Sequence, residues 1–146
     1  ISPDATMTLR IQDGVVKGYP CNGSLAPWRT TFYGLYARNA EFDNRHPFDL
    51  AKPWIDRKDR IDMAKSLDFA STNDIIGGNS GSPVINAAGE VIGAAFDGNI
   101  HSISGSYWFD TEKNRSTAVH PAIMREALTK VYKADHLLKE LQQRKR

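Results

Sequence analysis

Short apolar segments separated by turn residues run through the first part of the chain. Residues 7–11 alternate apolar and polar positions with a period of two, which predicts a β-strand. Asp13-Gly14 follows and leads into residues 15–19, and Asp-Gly between two such segments is typical of a β-hairpin. Residues 30–36 are rich in threonine and aromatic side chains, so we predict a further strand there.

A short helix and several strands are predicted further along. Residues 52–61 carry proline at their second position, where a first helical turn tolerates the missing N–H. Strands are predicted at residues 68–72, 82–86 and 90–96, the last two joined by a turn at residues 87–89. Residues 97–115 mix glycine, serine, asparagine and aromatic residues, as a long hairpin or loop does.

The apolar pattern changes to a helical period near the end of the chain. The residues that share one predicted helical face are Ile123, Ala127, Leu128 and Val131. Asp135 is predicted to cap a second short helix. Short strands followed by helices predict a mainly β fold, with a β-barrel at residues 1–120 and a helical tail at residues 121–146.

The composition is ordinary for a globular domain. The 146 residues are 40% hydrophobic and 25% charged. A net charge of +2 is too small to indicate nucleic acid or a membrane surface as a partner, and no apolar run approaches the length of a membrane span. The single cysteine, Cys21, cannot form a disulfide within the chain, and its role stays open.

The two ends of the chain have distinct compositions. The chain opens on Ile1-Ser2-Pro3-Asp4 rather than on Met, so we expect it to be part of a longer protein. The last three residues, Arg144-Lys145-Arg146, are basic. We expect them to complement a helix C-terminus or to be solvated.

The stretch most suggestive of chemistry is residues 75–85, which place Ser80 in a glycine-flanked turn between apolar residues. Glycines on both sides allow backbone conformations that a Cβ disfavours. Amides around such a serine can converge on one point, as an oxyanion hole requires, and the hydroxyl can attack a carbonyl if a base takes its proton. The alternative is an ordinary loop, because Gly, Asn, Ser and Pro are common turn residues.

Several motifs together resemble one peptidase family. Gly78-Asn79-Ser80-Gly81-Ser82-Pro83 resembles the serine loop of chymotrypsin-fold peptidases. The wider string 71–83, with Phe96-Asp97-Gly98-Asn99 after it, is similar to the bacterial serine dipeptidyl peptidases of the dipeptidyl-peptidase 7 and 11 type. Residues 1–6 and the stretch 109–115 fit the same family.

The resemblance implies a fold and an activity. It implies the second barrel of a chymotrypsin-like (trypsin-like serine protease) double barrel, with a helical domain inserted elsewhere in a much longer chain. Such enzymes remove dipeptides from free amino ends of peptides, in the periplasm or on the surface of Gram-negative bacteria, and form homodimers. The implied partners are peptide substrates and the remainder of the peptidase, and no cofactor or metal is expected.

The resemblance also implies roles for individual residues. Ser80 is the expected nucleophile, and the backbone amides of Gly78 and Ser80 the expected oxyanion hole. Asp97 is expected to bind the substrate's terminal ammonium, for which a carboxylate is the natural partner; otherwise it is a turn residue before Gly98. Gly98 stands where relatives with acidic specificity carry arginine, so we expect an uncharged pocket and a hydrophobic residue before the cleaved bond (P1).

Two positions depart from trypsin-like enzymes. Asn79 replaces their aspartate and cannot pair with a newly cut N-terminus, so we expect no activation by that route. Asp74 lies six residues before Ser80, at the spacing of trypsin's specificity aspartate. We do not infer basic specificity from it, because loop geometry does not transfer with spacing.

The general base is the missing component of the predicted site. The histidines are His46, His101, His120 and His136. None lies in a motif that marks a general base. His101 is the best candidate among them, because the segment after Asp97 can border the site. The family's catalytic His and Asp precede this segment, so the isolated chain is expected to be inactive.

Two other functions remain open from the sequence. A glutamyl-endopeptidase-like serine protease shares Gly-Asn-Ser-Gly-Ser-Pro and requires a histidine-containing strand upstream without a helical insertion. A non-catalytic barrel that acts as a binding module is consistent with the missing base. Half of a double barrel also exposes the face that meets its partner, so the isolated segment is expected to be prone to aggregation or dimerisation.

Overall fold

A computed structural model describes residues 8–105 and 107–143, and these form two compact units. The first unit comprises the residues up to Arg29 together with Asp68–His120. The second comprises Thr30–Leu67 together with the residues from Pro121. The barrel and tail boundaries inferred from the sequence stay a prediction; in the units, residues 30–67 group with the residues after His120.

Seven strands lie in the described residues: β1 Tyr19–Cys21, β2 Ser24–Ala26, β3 Arg29–Thr31, β4 Ser66–Ser71, β5 Pro83–Ile85, β6 Val91–Gly98 and β7 Ser116–Val119. The α-helices are α1 Phe32–Glu41, α2 Lys52–Asp56, α3 Pro121–Glu126 and α4 Asp135–Gln142, with 3-10 turns at Lys58–Arg60 and Ile100–Ser104 and a π turn at Ala127–Val131. Within this part of the chain, β1 and β2 form one antiparallel sheet and β3-β4-β7-β6-β5 a second.

The larger sheet provides the framework of the first unit. The strands predicted at residues 68–72, 82–86 and 90–96 are confirmed as β4, β5 and β6. Antiparallel β6 and β7 form the hairpin predicted for residues 97–115, with β6 continuing to Gly98 and the described residues after it connecting to β7. Phe69 is buried on β4, and a Cβ built at Gly93 would lie 2.6 Å from its ring. Glycine at position 93 therefore allows the ring to approach the backbone of β6 closely.

The predicted hairpin at Asp13-Gly14 is wrong. Residues 8–14 contain no strand. Residues 1–7 lie outside the described part of the chain, and so do residues 144–146. The segment after Gly14 pairs instead with the end of β4, where Lys17 N–H donates to Ala70 O and Thr72 N–H to Val15 O, both at 3.0 Å. Long-range pairing therefore decides the conformation of this segment.

A different turn signal marks the actual hairpin. β1 and β2 pair antiparallel around Asn22-Gly23, whose φ values are +49° and +73°. Both residues lie in the left-handed region, as a two-residue hairpin turn requires. Asn-Gly is a hairpin signal of the same kind as Asp-Gly, but the strands that flank it are only three residues long and carry little apolar alternation.

The predicted strand at residues 30–36 is also wrong beyond Thr31, because α1 begins at Phe32. Phe32 and Tyr36 are both buried, and their i, i+4 spacing places them on one helical face. Burial of that face outweighs the weak strand preference of threonine and aromatic residues, which reflects packing more than the backbone.

The second unit has a hydrophobic core of its own. Its buried members are Phe32, Tyr36, Ile61, Leu67 and Val131. The Tyr36 hydroxyl donates to Trp54 O at 2.7 Å, and burial raises the pKa of this hydroxyl above its ordinary 10.0. Each fully buried large side chain stabilises such a core by about 1.5–3 kcal/mol relative to an exposed one.

The helix predictions in this unit are largely confirmed. α2 begins at Lys52 with proline in its first turn, as expected for residues 52–61. The predicted helix after Pro121 is α3, which continues into the π turn that ends at Val131. Asp135 is the first residue of α4 rather than its cap, since Ala134 takes the N-cap position.

Candidate functional site

The serine loop lies between β4 and β5, and its backbone requires glycine at two points. Gly78 has φ +92° and Gly81 has φ +87°, in the region that a Cβ disfavours. Between them Ser80 is exposed, and its Oγ donates a hydrogen bond to Phe96 O at 3.2 Å. The hydroxyl is therefore accessible at the end of β6, in the first unit.

Asn79 stabilises the loop through hydrogen bonds to other residues of the same loop. Its Oδ1 accepts the N–H of Ile76 at 2.8 Å, and its own N–H donates to Ile76 O at 3.1 Å. Ser82 N–H donates to Asn79 O at 3.0 Å, and Gly81 N–H donates to Ala95 O at 2.7 Å. The side chain that replaces the aspartate of trypsin-like enzymes thus closes a local turn and needs no charge to do so.

The amides predicted to form an oxyanion hole are those of Gly78 and Ser80. Within the described residues neither N–H makes a hydrogen bond to protein. Backbone amides are strong donors and rarely stay unused when a ligand or water can reach them. Both are therefore available to an incoming carbonyl oxygen.

A β-bulge at the end of β6 brings two side chains to the site. Ala95 pairs with Ala118 and Asp97 with Thr117, which leaves Phe96 as the additional residue. Successive side chains of a regular strand face opposite sides, but here Phe96 and Asp97 are both exposed and both line the same pocket. The bulge therefore adds a second pocket-lining side chain next to Phe96.

A pocket of about 490 Å³ in the first unit contains the serine and the end of β6. Its lining residues are Ile75, Ile76, Gly77, Ser80, Phe96, Asp97, Gly98, Asn99, Ile100, Ser102 and Ile103. Four isoleucines and a phenylalanine lie in the lining beside glycine, serine and asparagine, and Asp97 is its one ionisable member among the described residues. The pocket therefore combines apolar side chains with polar groups and a single negative group, which can orient a small ligand.

Asp97 keeps part of its carboxylate available. Its Oδ1 accepts the N–H of Gly98 at 2.7 Å, and Thr117 Oγ1 donates to its backbone carbonyl at 2.8 Å. Within the described residues Oδ2 has no hydrogen-bond partner. One oxygen thus orients the carboxylate and the other can accept a cation.

Asn99 and Arg115 hold this end of β6 against β7. Asn99 is 7% exposed; its N–H donates to Arg115 O at 2.8 Å and its Nδ2 to Lys113 O at 2.7 Å. Its Oδ1 accepts Arg115 N–H at 3.1 Å. These bonds hold the residue that follows Gly98 in a rigid position.

The side chain of Arg115 is 1% exposed and satisfies backbone carbonyls from several segments. Nε donates to Gly18 O at 3.2 Å, and Nη2 donates to the same oxygen at 3.0 Å. Nη2 also donates to Glu112 O at 2.9 Å. Nη1 donates to Thr111 O at 3.1 Å and to Asn114 O at 2.6 Å. A buried guanidinium requires such partners because its desolvation is costly. Arg115 therefore connects the β6–β7 hairpin to the segment before β1.

The histidines of the first unit do not serve Ser80. The Ser80 hydroxyl bonds to the Phe96 carbonyl rather than to an imidazole. His101 lines a different pocket, of about 320 Å³, and its ring packs edge-on against Tyr19. His120 packs edge-on against Phe69. His101, the best candidate base from the sequence, therefore lies outside the pocket that contains Ser80.

Other residues considered from the sequence lie outside the pocket. Asp74 is not among its lining residues, and its exclusion as a specificity residue stays a prediction. Cys21 is a partly buried free thiol on β1. Across the described residues there is no cluster of three or more His, Cys, Asp or Glu that could hold a metal, and no helix long and apolar enough to span a membrane.

The structure brings together the residues predicted from two separate strings. Ser80, Asp97 and Gly98 line one pocket, and Gly78 lies two residues before Ser80 in the same loop. Sequence reasoning missed Ser102, which lines the same pocket. Its signal is weak: a serine three residues after an asparagine, where a hydroxyl can bond to the carbonyl at i−3.

Matches to known proteins define the class of the molecule. A family model described as Peptidase S46 matches residues 1–143. The chain belongs to the Peptidase S46 family. Relatives named dipeptidyl-peptidase 7 include one from Phocaeicola vulgatus, 40% identical over 96% of the chain and 20% of the relative, and one from Capnocytophaga gingivalis, 33% identical over 95% and 21%.

A second group of relatives carries a different specificity in its name. An Asp/Glu-specific dipeptidyl-peptidase of Porphyromonas gingivalis is 34% identical over 95% of the chain and 20% of the relative. The crystal structure of Porphyromonas endodontalis DPP11 with the dipeptide Arg-Glu matches with a TM-score of 0.81 and 27% identity, over 97% of the chain and 21% of that structure. The chain thus spans about one fifth of the length of the relatives it matches.

The bonds of Asn79 make a specific prediction about the loop. Asn79→Ala removes the acceptor for Ile76 N–H and is expected to lower kcat/KM of the full-length protein about fivefold, because a hydrogen bond that orders the loop contributes about 1 kcal/mol. Asn79→Asp keeps an acceptor oxygen at the same point and is expected to retain most activity. Equal losses in the two variants would contradict this role.

Proposed function

We propose that the chain is the nucleophile-bearing part of a serine-type dipeptidyl peptidase that releases dipeptides from peptide amino ends. The observation that carries the proposal is one pocket shared by an exposed serine hydroxyl, a carboxylate with an unused oxygen and several large apolar side chains. Membership of the Peptidase S46 family supports it, as do relatives named dipeptidyl-peptidases.

In the proposed reaction Ser80 Oγ attacks the carbonyl carbon of the substrate's second residue. The Gly78 and Ser80 amides stabilise the developing oxyanion. The hydroxyl proton passes through a base to the leaving amine as the C–N bond breaks, and water then hydrolyses the ester to release the dipeptide. The base is a histidine expected in the part of the enzyme that precedes this chain, so the chain by itself is proposed to be inactive.

Asp97 is proposed to bind the substrate's amino end and so to determine that the second peptide bond is the one cleaved. A free amino end carries an ammonium, and the available Oδ2 of Asp97 can accept a charge-assisted hydrogen bond from it. A blocked amino end loses that bond and leaves the carboxylate unpaired in the pocket. The same pocket therefore favours a substrate whose amino end lies two residues from the cleaved bond.

A hydrophobic P1 residue is proposed from the composition of the pocket. Four isoleucines and a phenylalanine supply the large side chains of the lining, and the described residues contribute no cation to it. A carboxylate in P1 would be desolvated near Asp97 without a positive partner. Relatives include Asp/Glu-specific enzymes as well as dipeptidyl-peptidase 7 proteins, so family membership by itself does not decide between the two preferences.

The fold, assembly and location of the whole enzyme are proposed from the same resemblance. The five-stranded sheet is proposed to be part of the second barrel of a chymotrypsin-like pair, and the full-length enzyme is proposed to be a homodimer. Location in the periplasm or at the surface of a Gram-negative bacterium is proposed with it. A histidine-containing barrel upstream, separated by a helical insertion, would support this arrangement over a glutamyl-endopeptidase-like protease.

The decisive experiment is a substrate panel for the full-length enzyme with Asp97→Asn. Substrates pair a free or acetylated amino end with Phe, Leu, Asp or Glu in P1. We expect Asp97→Asn to lower kcat/KM for free-amine substrates about 10- to 100-fold, the effect of losing one charged hydrogen bond. Wild-type enzyme is expected to cleave apolar P1 substrates best and acetylated ones poorly.

Two outcomes of that panel would contradict the proposal. Equal cleavage of free and acetylated substrates would remove Asp97 from recognition of the amino end. A wild-type preference for Asp or Glu in P1 would overturn the hydrophobic preference while leaving the peptidase activity intact.

A further inference from the structure

The space beside Gly98 in the pocket is already occupied by Ser102. A Cβ built at Gly98 would lie 1.9 Å from Ser102 Oγ and 2.8 Å from Ser102 Cβ. Real Cβ atoms do not approach other heavy atoms within 3.0 Å, so a side chain at position 98 requires Ser102 to move or to be smaller. Both residues line the pocket that contains Ser80.

Ser102 is held in position by hydrogen bonds to the buried residue Asn99. Its Oγ donates to Asn99 O at 2.6 Å and its N–H to the same carbonyl at 2.9 Å. Asn99 is itself bonded to Arg115 and Lys113 and is 7% exposed. Movement of Ser102 away from Gly98 would therefore disturb a satisfied, buried network rather than a loose surface turn.

We propose that Ser102 is a specificity-determining residue, which acts together with Gly98 and rests on the proposed peptidase function. Its hydroxyl fills the position that a side chain at residue 98 would need, and so keeps a charged side chain out of the pocket. Gly98 and Ser102 thus act together. A cationic side chain at position 98 can point into the pocket only when residue 102 also changes.

The distances predict a graded result. With Ser102 present, an arginine at position 98 clashes with Oγ and Cβ and cannot reach its favoured position. Alanine at 102 removes Oγ but keeps the Cβ contact at 2.8 Å, while glycine at 102 removes both. A correctly placed arginine can then bond a carboxylate in P1, an interaction worth about 10- to 100-fold in kcat/KM.

The test compares the full-length enzyme with Gly98→Arg, Gly98→Arg/Ser102→Ala and Gly98→Arg/Ser102→Gly. The ratio of kcat/KM for Glu over Leu in P1 is expected to rise less than threefold in the single variant and at least about tenfold more in the Ser102→Gly double variant, with Ser102→Ala between them. Gly98→Arg/Ser104→Gly is the matched control, since Ser104 lies on the same 3-10 turn outside this pocket. A full gain in the single variant overturns the proposal.

A stability cycle keeps the proposal testable without activity. Gly98→Ala is expected to lower the thermal midpoint of the full-length protein by several degrees, and to have no such effect in a Ser102→Gly background. Equal shifts in both backgrounds overturn the coupling. A folded wild-type protein that cleaves none of the panel substrates would instead remove the proposed function, while the cycle still decides whether Ser102 excludes side chains at position 98.

Discussion

Replacement of Ser80 by alanine is expected to lower dipeptide release by the full-length enzyme by about 10⁴-fold or more. Ser80 is exposed in a loop whose geometry requires glycine on both sides, and its hydroxyl lies in the pocket with Asp97. Loss of the nucleophile in serine hydrolases removes the covalent step and leaves only binding and oxyanion stabilisation. The measurement is kcat/KM on a free-amine dipeptidyl substrate with an apolar P1 residue.

Ser82 offers a matched control for this substitution. It lies in the same loop and is exposed, its backbone carbonyl accepts Ala95 N–H at 2.9 Å, and its side chain does not line the pocket. Ser82→Ala keeps that backbone bond and is expected to change activity less than threefold. Retention of activity within tenfold in Ser80→Ala would assign the chemistry to another residue.

Replacement of Arg115 by methionine is expected to cause the largest loss of stability in the first unit. Methionine keeps part of the side-chain volume but leaves the carbonyls of Gly18 and Asn114 without their donor. Unsatisfied buried polar groups cost about 1–3 kcal/mol each, so about 3–5 kcal/mol is expected in total. Hydrogen exchange of peptides spanning residues 91–119 is expected to accelerate about 150- to 5000-fold, the factor that corresponds to this free energy.

The control for Arg115 is an arginine that lies at the surface. The Arg45 guanidinium lies 3.9 Å from the exposed carboxylate of Asp43, and such exposed pairs contribute little to stability. Arg45→Met is expected to leave exchange in residues 91–119 unchanged. Protection in Arg115→Met within threefold of wild type would show that the guanidinium bonds are not needed to hold the β6–β7 hairpin.

The sequence was most informative where turn chemistry and apolar pattern agree. The strands on either side of the serine loop and the turn between β5 and β6 follow from glycine, proline and β-branched residues at the expected spacing. The Ser80 loop and the Phe96–Gly98 string are far apart in sequence, and the structure places them in one pocket. Residues of both motifs therefore lie in the same pocket, as the resemblance implied.

The errors have a common physical origin. Residues 15–17 pair with β4 more than fifty positions away, and Phe32 begins a helix because its buried face packs into a core. Both outcomes depend on tertiary contacts that no local pattern records. The bulge at Phe96, the buried guanidinium of Arg115 and the contact between Gly98 and Ser102 belong to the same category, since each is decided by residues distant in the chain or by close approach in space.

The most direct test of the central claim is covalent trapping of Ser80 in the full-length protein. A dipeptidyl phosphonate with a free amino end and an apolar P1 residue is incubated with the enzyme, and the adduct is located by peptide mass spectrometry. The account predicts a single adduct on the peptide that contains Ser80, absent in Ser80→Ala and slowed in Asp97→Asn. An adduct on another residue, or an active enzyme that stays unlabelled at Ser80, would contradict it.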